Sequence, residues 1–147
     1  SEYWEQLFRV SKNQIVWGAN YFTEYLPASM GWIFWDKGQD LSMSDGELAY
    51  TSFNRALRRV KINRGQLMVE GGTIHPTQKP IKLYDFCFDF AKLEAGAKVL
   101  DTHLGSGSSR ISANRYKLDF VGCEIDVDYY NAEQKRYKEF ISQLRLF

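Results

Sequence analysis

Apolar positions along this chain follow two spacings, and the stretch where neither holds divides it. Residues 2–10 set Tyr3, Leu7, Phe8 and Val10 among Glu2, Glu5, Gln6 and Arg9, the spacing of an amphipathic helix. Gln14 to Gly18 reads as a short buried strand, and Asn20 to Leu26 as a helical turn or loop stopped by Pro27. Trp32-Ile33-Phe34-Trp35 predicts a strand ended by Asp36-Lys37-Gly38, and Glu47 to Phe53 alternates like another. From Leu57 to Thr73 no period survives. Gly65, Gly71 and Gly72 punctuate a polar stretch that reads as loop, unusually long for a compact domain.

Order returns after Pro80, a residue suited to a first helical turn. Leu83, Phe86, Cys87, Phe90 and Leu93 predict a helix over 81–93, closed by Gly96. Lys98 to Asp101 predicts a strand, Ser108 to Tyr116 a helix, and Asp119 to Glu124 a second strand. A long helix follows from Asp126 to Leu144, with Asp126 as its N-cap and Asp128 at the positive end of its dipole. Helix–strand–helix–strand–helix with short connections demands parallel strands and right-handed crossovers, so the fold class is α/β.

A length of 147 residues holds at most one domain. With 44% hydrophobic and 25% charged residues the chain is of the ordinary globular class, and no apolar run is long enough for a bilayer, so no membrane partner is expected. A net charge of +1 announces no nucleic acid by itself. The densest basic run is Arg55, Arg58, Arg59, Lys61 and Arg64, readable as a solvated helix face or loop, or as a phosphate contact. Cys87 and Cys123 have apolar neighbours and read as buried, reduced thiols of a cytosolic protein, and no metal-ligand spacing is present.

The sharpest chemical signal runs from Val99 to Ser109, where a strand enters the turn Gly105-Ser106-Gly107 and then a helix. Glycines let backbone approach a ligand closely, and open parallel sheets bind ligands at the carboxyl ends of their strands. Glu124 ends the next strand, where a carboxylate can accept two hydrogen bonds from a ribose. A dinucleotide site wants a third glycine or alanine where Arg110 stands, and Asp101 would repel a diphosphate. Asp101, the glycine loop and Glu124 suit S-adenosylmethionine, which has an ammonium, a sulfonium and a ribose and no phosphate. From the loop alone three readings stay open: a methyltransferase, a nicotinamide or flavin enzyme, and a turn that needs its glycines only to turn.

His75-Pro76-Thr77-Gln78-Lys79-Pro80, a helix, and then Asp101-Thr102-His103-Leu104-Gly105-Ser106-Gly107-Ser108-Ser109 form an ordered pair of motifs. The pair resembles the permuted (beta-arrangement) DNA N6-adenine/N4-cytosine amino-methyltransferases, including prophage and restriction-associated members. Val121 to Asp126, with Tyr129 and Tyr130 behind, looks like the family's ribose-contact strand and helix. Asn13 to Phe22, Gly31 to Lys37 and Asp45 to Phe53 look like the segments after its catalytic motif, so the resemblance covers nearly the whole chain.

The resemblance implies a Rossmann-like S-adenosylmethionine-dependent methyltransferase sheet, mostly parallel with helices on both faces, that lacks its N-terminal strands. It implies one methyltransferase domain over 1–147: a half over 1–56 that follows the catalytic motif, a loop at 57–74, and a cofactor-binding half at 75–147. Asp101, Thr102, Gly105, Ser106 and Gly107 would line the cofactor's amino-acid end, Glu124 would hold its ribose, and Thr77, Gln78, Lys79 and Pro80 would form the facing wall. His75 and His103 read as hydrogen-bonded scaffold, Asp101-Thr102-His103 standing where many relatives have Asp-Pro-Phe, and Trp17 as a core aromatic. Asn20, Tyr21 and Phe22 would border the pocket of a flipped base. The partner implied is double-stranded DNA, in the cytoplasm of a bacterium or phage-infected cell; a homodimer is allowed. The family's amine-activating Asp-Pro-Pro-Tyr-type segment does not occur in the sequence and is expected upstream of Ser1. The implied activity is methyl transfer to adenine N6, with cytosine N4 second. The alternative is a degenerate, non-catalytic DNA- or cofactor-binding module.

Overall fold

A computed structural model describes residues 1–39, 42 and 44–146. The chain divides into two compact units, Ser1–Asn63 and Arg64–Phe147.

In the first unit, α1 (Glu2–Val10) buries Trp4, whose ring stacks on Tyr25 at 5.6 Å and leans on Phe22 at 5.4 Å. Four strands follow: β1 (Ile15–Trp17), β2 (Trp32–Asp36), β3 (Gly46–Thr51) and β4 (Arg58–Lys61), in the order β1-β3-β2-β4. β3 runs antiparallel to both its neighbours, whereas β4 lies parallel to β2. Alternation in β2 sends Ile33 and Trp35 into the core, where Ile33 sits opposite the buried Ala49 of β3. Two short 3-10 turns, Ala19–Tyr21 and Thr23–Tyr25, fill the stretch expected to be a helical turn or loop. β4 corrects the expected loop at 57–73. Its sequence is Arg-Arg-Val-Lys and only Val60 is apolar, so it carries no hydrophobic period; the backbone ladder to β2 holds it. Trp35 Nε1 donates to the Ile62 carbonyl at 2.9 Å and fastens the chain that leaves β4.

The second unit begins with the short α2 (Gln66–Val69), also inside the expected loop. Then come α3 (Ile81–Phe90), β5 (Lys98–Asp101), α4 (Ser108–Arg115), β6 (Asp119–Gly122) and α5 (Val127–Leu144). β5 and β6 pair in parallel, with Asp101 opposite Gly122. α4 packs on β6 and against α3 and α5, around a core of Leu83, Cys87, Ile111 and Ala113. The Asp126 side chain accepts from the Tyr129 N–H at 3.0 Å, the N-cap its sequence predicts.

Three local expectations need correction. Pro80 is the extended N-cap of α3 and stands outside its first turn; the freed amides of Ile81 and Lys82 donate instead to the Glu70 carboxylate, at 2.7 and 3.3 Å. Gly96 does not close α3. Lys92 takes the left-handed position, and the Leu93 N–H returns to the Phe88 carbonyl at 3.1 Å. Cys123 is exposed, because its apolar neighbours Val121 and Ile125 are themselves 59% and 99% exposed; Cys87 is buried as expected. Leu100 on β5, at 48%, is also open. Among the described residues no helix is long and apolar enough to cross a membrane.

Tyr116, just after α4, ties this core together. Its hydroxyl donates to the Asp85 carbonyl at 3.1 Å, and its ring meets Phe88 edge-on at 5.8 Å. Burial, and then the Asp89 carboxylate, push its phenol up to about 12 from the ordinary 10. Since the folded value lies above the unfolded one, this contribution is complete below pH 10 and lost as pH rises toward 12. Tyr116→Phe should cost about 1 kcal/mol at neutral pH. It should also flatten the fall in melting temperature across that alkaline window, measured by circular dichroism.

Candidate functional site

The site is built at the carboxyl ends of β5 and β6. Strand pairing continues past β6: the Cys123 N–H donates to the Asp101 carbonyl at 2.9 Å, and the Leu104 N–H to the Cys123 carbonyl at 2.8 Å. The chain from Asp101 to Gly105 is thereby laid across the tip of the neighbouring strand. Glu124 completes the crossing. Its Oε1 accepts the Gly105 N–H and its Oε2 the Asp126 N–H, both at 2.9 Å, so one carboxylate joins the glycine loop to the entry of α5. Asp101 does the matching work on its own side: Oδ1 accepts the His103 N–H at 3.0 Å and Oδ2 the Ser109 hydroxyl at 2.5 Å. Both carboxylates therefore lie at one end of the unit and hold opposite flanks of the loop. Each oxygen keeps lone-pair capacity for a further donor.

The loop passes into α4 through Gly107, in the left-handed conformation. Ser106, Ser108 and Ser109 are buried under it. Arg110, which occupies the third position of a would-be dinucleotide fingerprint, points to α5. Its Nη1 pairs with the fully buried Glu133 at 3.0 Å, and its guanidinium lies 3.6 Å over the Tyr137 ring. Ile125, beside Glu124, is 99% exposed. Two concavities, one along α5 between Asn131 and Gln143 and one bordered by Thr23, Pro27 and Trp32, include neither Asp101 nor Glu124. Among the described residues no group of His, Cys, Asp and Glu could hold a metal.

The sequence profile of a family described as DNA methylase, the N6/N4 methyltransferases, matches residues 3–135. The chain belongs to this N6/N4 DNA methylase family. Solved structures share its fold. One is a crystal structure of an M1.HpyAVI–SAM complex, 19% identical, with a TM-score of 0.67 over 84% of this chain and 74% of that one. A candidate DNA modification methylase from Thermus thermophilus, complexed with S-adenosyl-L-methionine, is 14% identical, with a TM-score of 0.62 over 93% and 74%. PvuII DNA methyltransferase (cytosine-N4-specific) is 14% identical, with a TM-score of 0.54 over 77% and 55%.

Within this methylase chain the His75–Pro80 motif is drawn to the glycine loop by one ring. The His75 imidazole lies 3.7 Å from where a Gly105 β-carbon would stand, and 4.3 Å, centroid to centroid, from Tyr129. Its Nδ1 meets the Thr77 N–H and hydroxyl at 3.2 and 3.1 Å, the scaffold role its sequence suggests. Gln78 is buried and closes its own loop, accepting the Ile74 N–H at 2.9 Å and donating to the Gly72 carbonyl at 3.1 Å. Pro80 is fully buried, Lys79 half-buried and Thr77 exposed. Thr102 meets the exposed His103 ring at 2.8 Å. In the first unit Phe22 leans on Trp4, while Asn20 is exposed and Tyr21 projects at 81% exposure. Trp17, half-buried where a core position was expected, packs edge-on against the buried Trp35 at 6.4 Å.

Glu133, Arg136 and Tyr137 belong to no motif of the sequence, yet all face the loop or α4 from α5. Their spacing of three and four residues is the available signal, since it sets them on one helix face with Tyr129.

Proposed function

We propose that this chain is an S-adenosylmethionine-dependent DNA methyltransferase acting on the adenine N6 amine, with the cytosine N4 amine as the less favoured alternative. The observation that carries the reading is the pair of carboxylates, Asp101 and Glu124, which bracket one glycine loop at neighbouring strand ends. The residues present fit the cofactor by charge. From Thr102 to Gly107 the loop has no lysine or arginine for a phosphate, and two carboxylates flank it. Asp101 would hold the ammonium, the loop from Thr102 to Gly107 the rest of the amino-acid end, and Glu124 the ribose. Thr77, Lys79 and Pro80 would form the facing wall, with Gln78 keeping its shape from within. Ile125 would cover an apolar ring face. When bound, S-adenosylmethionine supplies an electrophilic methyl group on its sulfonium. The chain's own part is to fix that end of the reaction in position, a contribution of proximity and orientation. Tyr21, with Asn20 and Phe22, would border the flipped base. Titration of the full chain with S-adenosylmethionine by calorimetry tests the reading: absence of heat sinks it. Binding without methylated adenine or cytosine in DNA from cells expressing the gene would leave a non-catalytic cofactor-binding module.

β4 supplies the means to hold DNA. Arg58, Arg59 and Lys61 are exposed on it, and Arg59 lies 4.0 Å from the Asp36 carboxylate. These side chains would contact phosphates. Alanine at all three should weaken duplex binding and flatten the slope of log K against log salt by up to about 2.7. Fluorescence anisotropy across a salt series measures it, and an unchanged slope counts against the contact.

A further inference from the structure

From α5, Arg136 reaches the glycine loop. Its Nη1 alone makes two bonds, to the Ser106 carbonyl and to the Ser108 hydroxyl, both at 2.9 Å. Those serines are 5% and 2% exposed, and their hydroxyls lie 3.2 Å apart. Its Nη2 is buried with no partner among the described residues. Leaving a buried donor unpaired is unfavourable, and removing a guanidinium from water more so. Burial accordingly lowers the guanidinium's pKa, against the pull of Glu70 and Glu133.

What this arrangement controls is one peptide plane. The Ser106 carbonyl and the Gly107 N–H belong to the same peptide; the carbonyl is held by Arg136 and the N–H by the Leu104 carbonyl at 2.9 Å. A peptide next to glycine flips with little steric hindrance, because glycine accepts both backbone conformations. Two bonds of opposite direction at its two ends prevent that flip. We propose that Arg136 is a positioning residue for the cofactor: it locks the Ser106–Gly107 peptide, so the loop meets the amino-acid end of S-adenosylmethionine already formed. This rests on the reading that the loop takes that end.

The test compares two probes on the full chain by calorimetry: S-adenosylmethionine, and 5′-methylthioadenosine, which keeps adenine and ribose and lacks the amino-acid end. Arg136→Met should weaken S-adenosylmethionine about tenfold or more and leave 5′-methylthioadenosine within about threefold, since only preorganisation of the loop is lost. Arg136→Lys should bind both within about threefold of wild type, because a single ammonium can supply both bonds that Nη1 makes. A purely structural role would weaken both probes in proportion, and that result overturns the proposal, as does Arg136→Met binding both like wild type. If Arg136→Met does not fold, Ser108→Ala decides: it should shift the affinity ratio of the two probes by about threefold, and an unchanged ratio overturns the proposal. Wild type binding neither probe defeats the cofactor reading itself and this proposal with it. Wild type binding S-adenosylmethionine with an unmoved ratio in the variants defeats only the role of Arg136.

Discussion

Asp101→Ala and Glu124→Ala should each weaken S-adenosylmethionine binding by more than about tenfold, equivalent to about 1.4 kcal/mol or more. Two losses combine in each variant. The first is direct: a carboxylate that would meet an ammonium or a ribose is gone, and charge-assisted hydrogen bonds are the stronger kind. The second is architectural. Glu124 joins the Gly105 and Asp126 amides, so its removal frees the loop from the entry of α5. Asp101 joins the His103 amide to the Ser109 hydroxyl, so its removal loosens the first turn of α4. Conservative variants separate the two. Asp101→Asn keeps an acceptor for the His103 N–H and loses the charge; its deficit measures attraction to the ammonium, and added salt should narrow the gap. Glu124→Gln keeps one acceptor for the two amides and can still bond a ribose hydroxyl, so it should lie between wild type and Glu124→Ala. Calorimetric titration of the four variants checks this order, and wild-type affinity in both alanine variants defeats the site assignment.

The placement of these two carboxylates was legible because each step toward it is local. Pro80, the Gly105-Ser106-Gly107 turn and the Asp126 cap mark element boundaries within a residue or two of those in the structure. Short connections between parallel strands then leave one arrangement for the ends of β5 and β6. What the carboxylates bond was not legible, since an acceptor's partner depends on backbone direction in three dimensions. β4 escaped because an edge strand of Arg58, Arg59 and Lys61 has no apolar face to betray it. Cys123 misled because an apolar neighbour implies burial only if that neighbour is buried, and Ile125 is open to solvent. Glu133 and Arg136 look like ordinary solvated helix charges beside Lys135 and Lys138. Their spacing sets them on one face with Tyr129, but which face turns inward depends on packing, and Glu133 is completely buried against Arg110.

That buried glutamate makes Gly107 the most constrained position of the loop, and Gly107→Ala should be the most damaging single-methyl change in the second unit. Two costs separate cleanly. One is conformational: Gly107 has φ +78°, and a left-handed L-residue costs about 1–2 kcal/mol. The other is steric: a β-carbon there would stand 2.5 Å from Glu133 Cγ and 2.7 Å from its Oε1. Glu133 cannot swing away without giving up the Arg110 guanidinium, so overpacking adds about 1–3 kcal/mol. Gly96 supplies the control. Its φ is +86°, yet nothing lies within 4 Å of a β-carbon there, so Gly96→Ala carries only the conformational cost. In urea denaturation Gly107→Ala should lose more stability than Gly96→Ala by about 1–3 kcal/mol, and only Gly107→Ala should weaken S-adenosylmethionine binding. Equal losses would mean that the Glu133 side chain yields freely, and that α5 does not brace the loop as rigidly as its buried ion pair implies.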